Sequence, residues 1–280
     1  MISTSVIIIL REVLEAALLI SLLLAMSTHI HLKLRWIITA LCLGLGFAVV
    51  YANQLAFISS WFDGLGQEMV NTSLQVIISM MLAVGCCYVV RILIAEQSIK
   101  TTATERINIL SQSLSGRPFF KSLLICIVAL AIVREGSEII IYIFGFASNK
   151  DVFLTVLLGG SVGLGIGVSI GVIFFYSLIN ITFNNFIPLL IVFSGFIAAG
   201  LLIQAINLLY QADFLEMQYF LWDSSSIISE ESIVGQLLYA MIGYEATPSM
   251  LQVFIYTVIL LGFFSLAIYF YINRPRSDLL

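Results

Sequence analysis

The chain has 280 residues, of which 61% are hydrophobic and 10% charged, and its mean hydropathy is +1.10. A water-soluble core of this size does not need so much apolar surface, so a soluble globular protein is excluded and a multi-pass membrane protein is expected. The formal charge of −4 says little as a total, because the acids are concentrated in one segment.

A membrane-spanning helix needs about 20 apolar residues. Seven stretches reach that length, at residues 2–28, 35–60, 70–95, 119–147, 152–180, 185–211 and 250–273. They are two to three times as long as a transmembrane strand, which excludes a barrel and leaves helices as the way to satisfy the backbone in lipid. The first stretch has no basic residue before its apolar run and is interrupted by Arg11, Glu12 and Glu15, so it reads as a span and not as a cleaved leader. The fold class is an all-α integral membrane protein of seven transmembrane helices.

Lys33 and Arg35 follow the first span, Lys100, Arg106, Arg117 and Lys121 follow the third, and Arg274 and Arg276 follow the seventh. The opposite side has only Lys150. Cytoplasmic connections retain Lys and Arg, so the N-terminus is expected outside and the C-terminus inside. Asp213, Glu216, Asp223, Glu230, Glu231 and Glu245 then share the outer connection at 212–249 with no Lys or Arg among them, a surface that attracts cations at long range.

Arg11, Glu12 and Glu15 in the first span reappear as Arg134, Glu135 and Glu138 in the fourth, 123 residues later at all three positions. "LGLG" at 43–46 matches "LGIG" at 164–167, and Ser79 with Gly85 matches Ser194 with Gly200. A repeat of three helices enters the membrane from opposite sides in its two copies, so the repeat is inverted. Such repeats place a site near the midplane between the copies and work by rocking one against the other. The expected organisation is a first repeat at 1–95, a cytoplasmic connection at 96–118, a second repeat at 119–211, the outer acidic segment at 212–249, and a seventh helix with its tail at 250–280.

At about 1.5 Å per residue, Glu12 lies ~15 Å into a hydrocarbon core ~30 Å thick. An acid or Arg there costs roughly 2.5–3.5 kcal/mol on insertion scales, against about 0.3–0.6 kcal/mol returned by each Leu, Ile or Val. These residues should therefore face the bundle interior. At ~100° per residue, Glu12 and Glu15 share one helix face, with Arg11 one turn from Glu15. Two such faces gather four carboxylates and two guanidiniums, a net −2 that lacks a cation. All-oxygen ligation suits hard or borderline cations. A structural ion-pair clamp is the bland alternative, and the duplication weighs against it.

Arg11, Glu12 and Glu15, with Arg134, Glu135 and Glu138, resemble the paired arginine-glutamate-glycine-leucine-glutamate motifs of the high-affinity iron permease family, which includes fungal ferroxidase-coupled permeases and the bacterial EfeU type. "IGYEATPSMLQ" at 242–252 is similar to that family's glycine-tyrosine-acid stretch before its last span, and 221–241 resembles the bacterial members. Val13 stands where the first motif has glycine and Ser137 where the second has leucine. The resemblance covers essentially the whole chain. It implies iron as the transported substrate, Glu12, Glu15, Glu135 and Glu138 as its ligands, Arg11, Arg134 and Glu245 in support, no further cofactor, and location in the cell inner (plasma) membrane. A ferroxidase or periplasmic iron-delivery protein is an implied partner; the lipid bilayer is the other surrounding, and no nucleic acid is expected.

The remaining polar residues carry weaker signals. His29 and His31 at the inner end of the first span read as solvated residues or as a hand-off point for metal. Asn53, Gln54, Gln75, Gln204 and Asn207 read as interhelical hydrogen-bonding amides, with pathway lining as the alternative. Thr247 and Pro248 read as N-cap and first-turn residue of the last helix. The glycines from 159 to 171 form a small-residue face, and the four cysteines read as packing residues.

An enzyme fits poorly. Intramembrane aspartyl proteolysis needs two aspartates within spans, and Asp63, Asp151, Asp213, Asp223 and Asp278 all fall outside them. A di-iron bundle needs Glu-x-x-His, and no such pair occurs. The competing transport reading is movement of another divalent metal or of protons on the same carboxylates.

Overall fold

The computed structural model describes residues 2–29, 32–98, 103–181, 183–216, 219–230 and 232–273. Among them are nine α-helices and no strand beyond an isolated bridge between Phe220 and Ser249. The helices are α1 (Ile2–His29), α2 (Arg35–Asn53), α3 (Leu55–Ser59), α4 (Gly66–Ser98), α5 (Ala103–Gly145), α6 (Lys150–Ile179), α7 (Phe183–Gln211), α8 (Ile233–Ile242) and α9 (Met250–Asn273). Five of them, α2, α4, α6, α7 and α9, are long and apolar enough to cross a membrane. Two further long helices, α1 and α5, each carry Arg-Glu-x-x-Glu within their apolar stretch.

The distribution of side chains is that of a protein dissolved in lipid. Large apolar residues such as Phe47, Leu158, Ile173 and Phe254 are exposed on α2, α6 and α9. Glu12, Gln75, Ser79, Arg134, Glu135, Ser194 and Gln204 are buried. Ordinary apolar packing fills one end of the bundle, where Leu22, Met26, Trp36, Leu82, Phe120, Ile127, Phe186 and Leu190 are fully enclosed.

The long helices pair across the chain: α1 packs most extensively against α6, α2 against α5, and α4 against α7, while α1 also meets α5. Missing side chains set these approaches. A Cβ on Gly163 of α6 would lie 2.7 Å from the Val6 carbonyl oxygen, and one on Gly44 of α2 would lie 3.1 Å from that of Ala129 and 2.7 Å from Ile132 Cβ. Gly46 and Gly165 face open space. The textual match of 43–46 with 164–167 is thus displaced by two residues from the packing: the glycine of α6 whose close approach corresponds to that of Gly44 is Gly163, not Gly165. At the next turn Val13 packs onto Gly167, whereas Gly136 packs near Ala48. The branched residue that replaces a motif glycine in α1 is accommodated by a glycine opposite, and α1 is not held away.

Several expected boundaries move. The second stretch, expected to run to residue 60, breaks after Asn53 into α3 and a 3-10 turn at Phe62–Gly64. The connection expected at 96–118 is helical from Ala103 onward, as the start of α5. The 212–249 segment contains α8, which is capped by the Ser232 hydroxyl on the Gly235 N–H and closed by Gly243 at φ 67°. The cap of the last helix is Ser249, not Thr247. Its hydroxyl accepts from the Gln252 N–H while the Gln252 side chain accepts from the Ser249 N–H, at 3.3 and 2.7 Å. This is a reciprocal capping box of the S-x-x-Q kind.

Candidate cation site

The two charged motifs meet where α1 faces α5. Glu12, Glu135 and Glu138 each bring a carboxylate oxygen within 4.8 Å of the others. A cation bonded to oxygens at about 2.0–2.6 Å needs only a small closure of that spacing. Glu12 and Glu135 are buried, and Glu138 is partly so.

The arginines differ although their motifs correspond. Arg134, 5% exposed, donates from Nη1 to Glu15 Oε2 at 3.2 Å and to Glu135 Oε1. Arg11 approaches Glu15 Oε1 only to 3.6 Å. Its guanidinium instead reaches Tyr239 of α8, donating from Nη2 to the hydroxyl at 3.1 Å and lying 4.6 Å from the ring centroid, a cation-π geometry. Glu15 therefore has both arginines within 3.6 Å and Glu135 has Arg134, whereas Glu12 and Glu138 have no arginine ion pair among the described residues. Glu138 Oε1 accepts from Asn71 Nδ2 at 3.0 Å, and Asn71 Oδ1 accepts from the Tyr51 hydroxyl at 3.3 Å.

Above the carboxylates lies a polar cavity of about 580 Å³. Its inner wall includes Arg11, Glu12, Arg134, Glu138, Gln75 and Gln204, and its outer wall Asn207, Gln211, Glu230, Gln236, Tyr239 and Glu245. Below them is a void of about 20 Å³, bounded by Glu15 and Glu135 and by Leu19, Ile78, Ile197 and Leu201. That space suffices for about one water. The carboxylates are thus open to a polar cavity on the side of the 212–249 segment and closed by apolar side chains on the other.

Buried oxygens without a hydrogen-bond partner cluster here. They include Glu135 Oε2, Glu15 Oε1, Gln75 Oε1 and Gln236 Oε1. An unsatisfied buried acceptor costs about 1–3 kcal/mol, and a cation would satisfy several at once. The set is carboxylate and amide oxygen, ligand chemistry of hard or borderline metals.

Of the outer acids, Glu230 and Glu245 line the cavity. Asp223 turns its carboxylate to the Ser225 backbone and hydroxyl instead, which lowers its pKa; Glu231 lies outside the described residues. Glu245 accepts from Asn207 Nδ2 at 3.1 Å, and Asn207 Oδ1 accepts from Gln252 Nε2 at 2.6 Å. Burial, with Glu230 nearby, pushes the Glu245 carboxyl up to about 7.

Gln75 donates to Gln204 at 2.9 Å across α4 and α7, so these amides both bond between helices and line the cavity. His29 stacks on Phe186 at 3.6 Å, at the end remote from the cavity; His31 lies outside the described residues. The glycines of α6 pack tightly on α1, with Gly171 accepting from Ser21 at 2.7 Å. Residue patterns did not single out Asn71, Tyr51, Gln236 or Tyr239. The last two come to the site only because α8 folds, and its serine N-cap and glycine stop were the available signal.

The family model described as Iron permease FTR1 family matches residues 2–273. The chain is 27% identical over 280 residues to a ferrous iron permease EfeU of Escherichia coli O6:H1 (strain CFT073), covering 96% of this chain and 95% of that one. It is 28% identical over 264 residues to a ferrous iron permease EfeU of Shigella sonnei, with 91% of each chain covered. No solved structure matches.

Proposed function

Because the chain belongs to the iron permease FTR1 family, we propose that it imports iron ions across the cell membrane through the carboxylate cluster between α1 and α5. The observation that carries this is the convergence of Glu12, Glu135 and Glu138, of which Glu12 and Glu138 line a polar cavity and Glu135 the small void beneath it. Relatives named as ferrous iron permeases make Fe2+ the first substrate to try. The protein is a multi-pass membrane protein, and the activity proposed for it is transport, with iron as cargo.

In this reading α1, α2, α4, α5, α6, α7 and α9 all cross, with the N-terminus and the 212–249 segment outside. The first three and the next three form inverted copies. Their pairing supports this: exchanging the copies turns the α1 and α6 pair into α5 and α2, and α4 and α7 into each other. The same exchange carries Val6 to Ala129 and, with the register read from the glycines, Gly163 to Gly44, whose close contacts correspond. Glu15 completes the ligand set on the closed side, Arg11 and Arg134 balance its charge, and Glu245 collects cations at the mouth.

The test is Fe2+ uptake by proteoliposomes containing the purified protein, compared with Glu12→Gln and Glu135→Gln. Loss of uptake in variants that keep native helicity and melting supports the reading. Unchanged uptake removes it, and proton movement without iron would select the competing transport class.

A further inference from the structure

The two motifs correspond residue for residue, yet their arginines are in different places, and this asymmetry coincides with the asymmetry of the cavities. Glu12 and Glu138 line the large polar cavity; Glu15 and Glu135 line the small closed one. Arg134 sits on Glu15 and Glu135, while Arg11 is drawn away to Tyr239. Exchanging the copies maps Arg134 on Glu15 and Glu135 to Arg11 on Glu138 and Glu12.

From this geometry we propose that the four carboxylates form two overlapping cation sites that share Glu12 and Glu135, one completed by Glu138 on the cavity side and the other by Glu15 on the closed side, and that Arg134 and Arg11 alternate in covering the carboxylate left out. The inference rests on the permease reading above. Glu12, Glu135 and Glu138 form the cluster, and Arg134, bridging Glu15 and Glu135, keeps Glu15 out of it. When the cation moves toward Glu15, Arg134 must leave, and Arg11 fills the negative site vacated at Glu138. Each half-step thus exchanges one cation for another, which prevents a cluster of four acids from holding its cargo too tightly to release it. Conduction requires binding weak enough to leave as well as strong enough to enter.

Tyr239 is a positioning residue in this scheme. It holds Arg11 off Glu138 by a hydrogen bond and its ring face. It belongs to α8, which lies between α7 and α9 and has no counterpart in the first repeat. The clamp is therefore one-sided and biases the molecule toward the cavity-open arrangement.

The experiment measures anaerobic Fe2+ binding to the full-length protein in detergent and Fe2+ uptake in proteoliposomes, for Glu138→Gln, Glu15→Gln, Tyr239→Phe and Tyr239→Leu. Glu138→Gln is expected to weaken binding by about tenfold or more. Glu15→Gln is expected to leave affinity within about threefold while abolishing uptake. Tyr239→Leu, which keeps every carboxylate, is expected to weaken binding as Arg11 competes for Glu138, and Tyr239→Phe to recover part of the loss through the retained ring. Equal weakening by Glu15→Gln and Glu138→Gln would mean one four-carboxylate site and overturn the exchange, leaving the permease reading intact. Should Glu15→Gln not fold, the tyrosine variants decide: unchanged affinity in Tyr239→Leu overturns the proposal. If Glu12→Gln and Glu135→Gln change neither binding nor uptake, the permease reading itself is what fails.

Discussion

Gly163→Ala and Gly165→Ala add the same methyl group to opposite faces of α6 and are expected to move stability in opposite directions. At Gly163 the new Cβ would lie 2.7 Å from the Val6 carbonyl oxygen and 3.0 Å from the Leu10 nitrogen, both backbone atoms of α1. Ordinary contact begins near 3.4 Å, so α1 must retreat by about 0.7 Å. Overpacking of this kind costs about 1–3 kcal/mol, partly offset by the roughly 0.5–1 kcal/mol gained when alanine replaces glycine within a helix. At Gly165 nothing lies within 4 Å, and only the helix gain of about 0.5–1 kcal/mol remains. Melting of purified protein in nanodiscs, followed by helix circular dichroism, should place Gly163→Ala below the parent and Gly165→Ala above it. The same ordering is expected for Gly44→Ala and Gly46→Ala on α2. If Gly165→Ala is as damaging as Gly163→Ala, the register of α6 on α1, and with it the correspondence of the two copies, is wrong.

Ser249→Ala removes one half of the capping box at the start of α9 and should lower stability by about 0.5–2 kcal/mol in the same melting assay. Glu245, with its carboxyl pushed up to about 7, is mostly neutral below that pH and charged above it, so Fe2+ uptake at limiting concentration should rise as pH increases through 7. Glu245→Gln should flatten that rise. A raised carboxylate pKa also means that ionisation disfavours the native state, so stability should fall as pH rises from the ordinary carboxylate range through about 7, and the variant should lose that slope in a pH series of melting curves.

The charged motifs were legible because three ionisable residues within an apolar span are too costly to face lipid, and their duplication at a constant spacing pointed to one shared interior site. Glu12, Glu135 and Glu138 come together in one group, which does not include Glu15, the fourth ligand expected. The amides Gln75, Gln204 and Asn207 likewise bond between helices. The register of α6 was not legible from its letters, since "LGLG" and "LGIG" look alike whichever glycine faces the neighbour; only the packing against Val6 and Val13 separates them. Ser249 was legible in principle, as S-x-x-Q before an apolar run, but the adjacent Thr-Pro pair gave a competing start signal. The unequal placement of Arg11 and Arg134 could not be inferred from equal motifs, because Arg11 bonds to Tyr239 on a ten-residue helix far along the chain while Arg134 bonds to Glu15 and Glu135.

The central claim is that buried acids from two corresponding helices hold the transported ion. An anomalous difference map at the iron edge, from crystals of the iron-loaded protein, tests it directly. A peak at about 2.0–2.6 Å from carboxylate oxygens of Glu12, Glu135 and Glu138 is the predicted result. Iron bound at saturation only at Glu230, Glu245 or the exposed outer acids, with the space between α1 and α5 vacant, would contradict it.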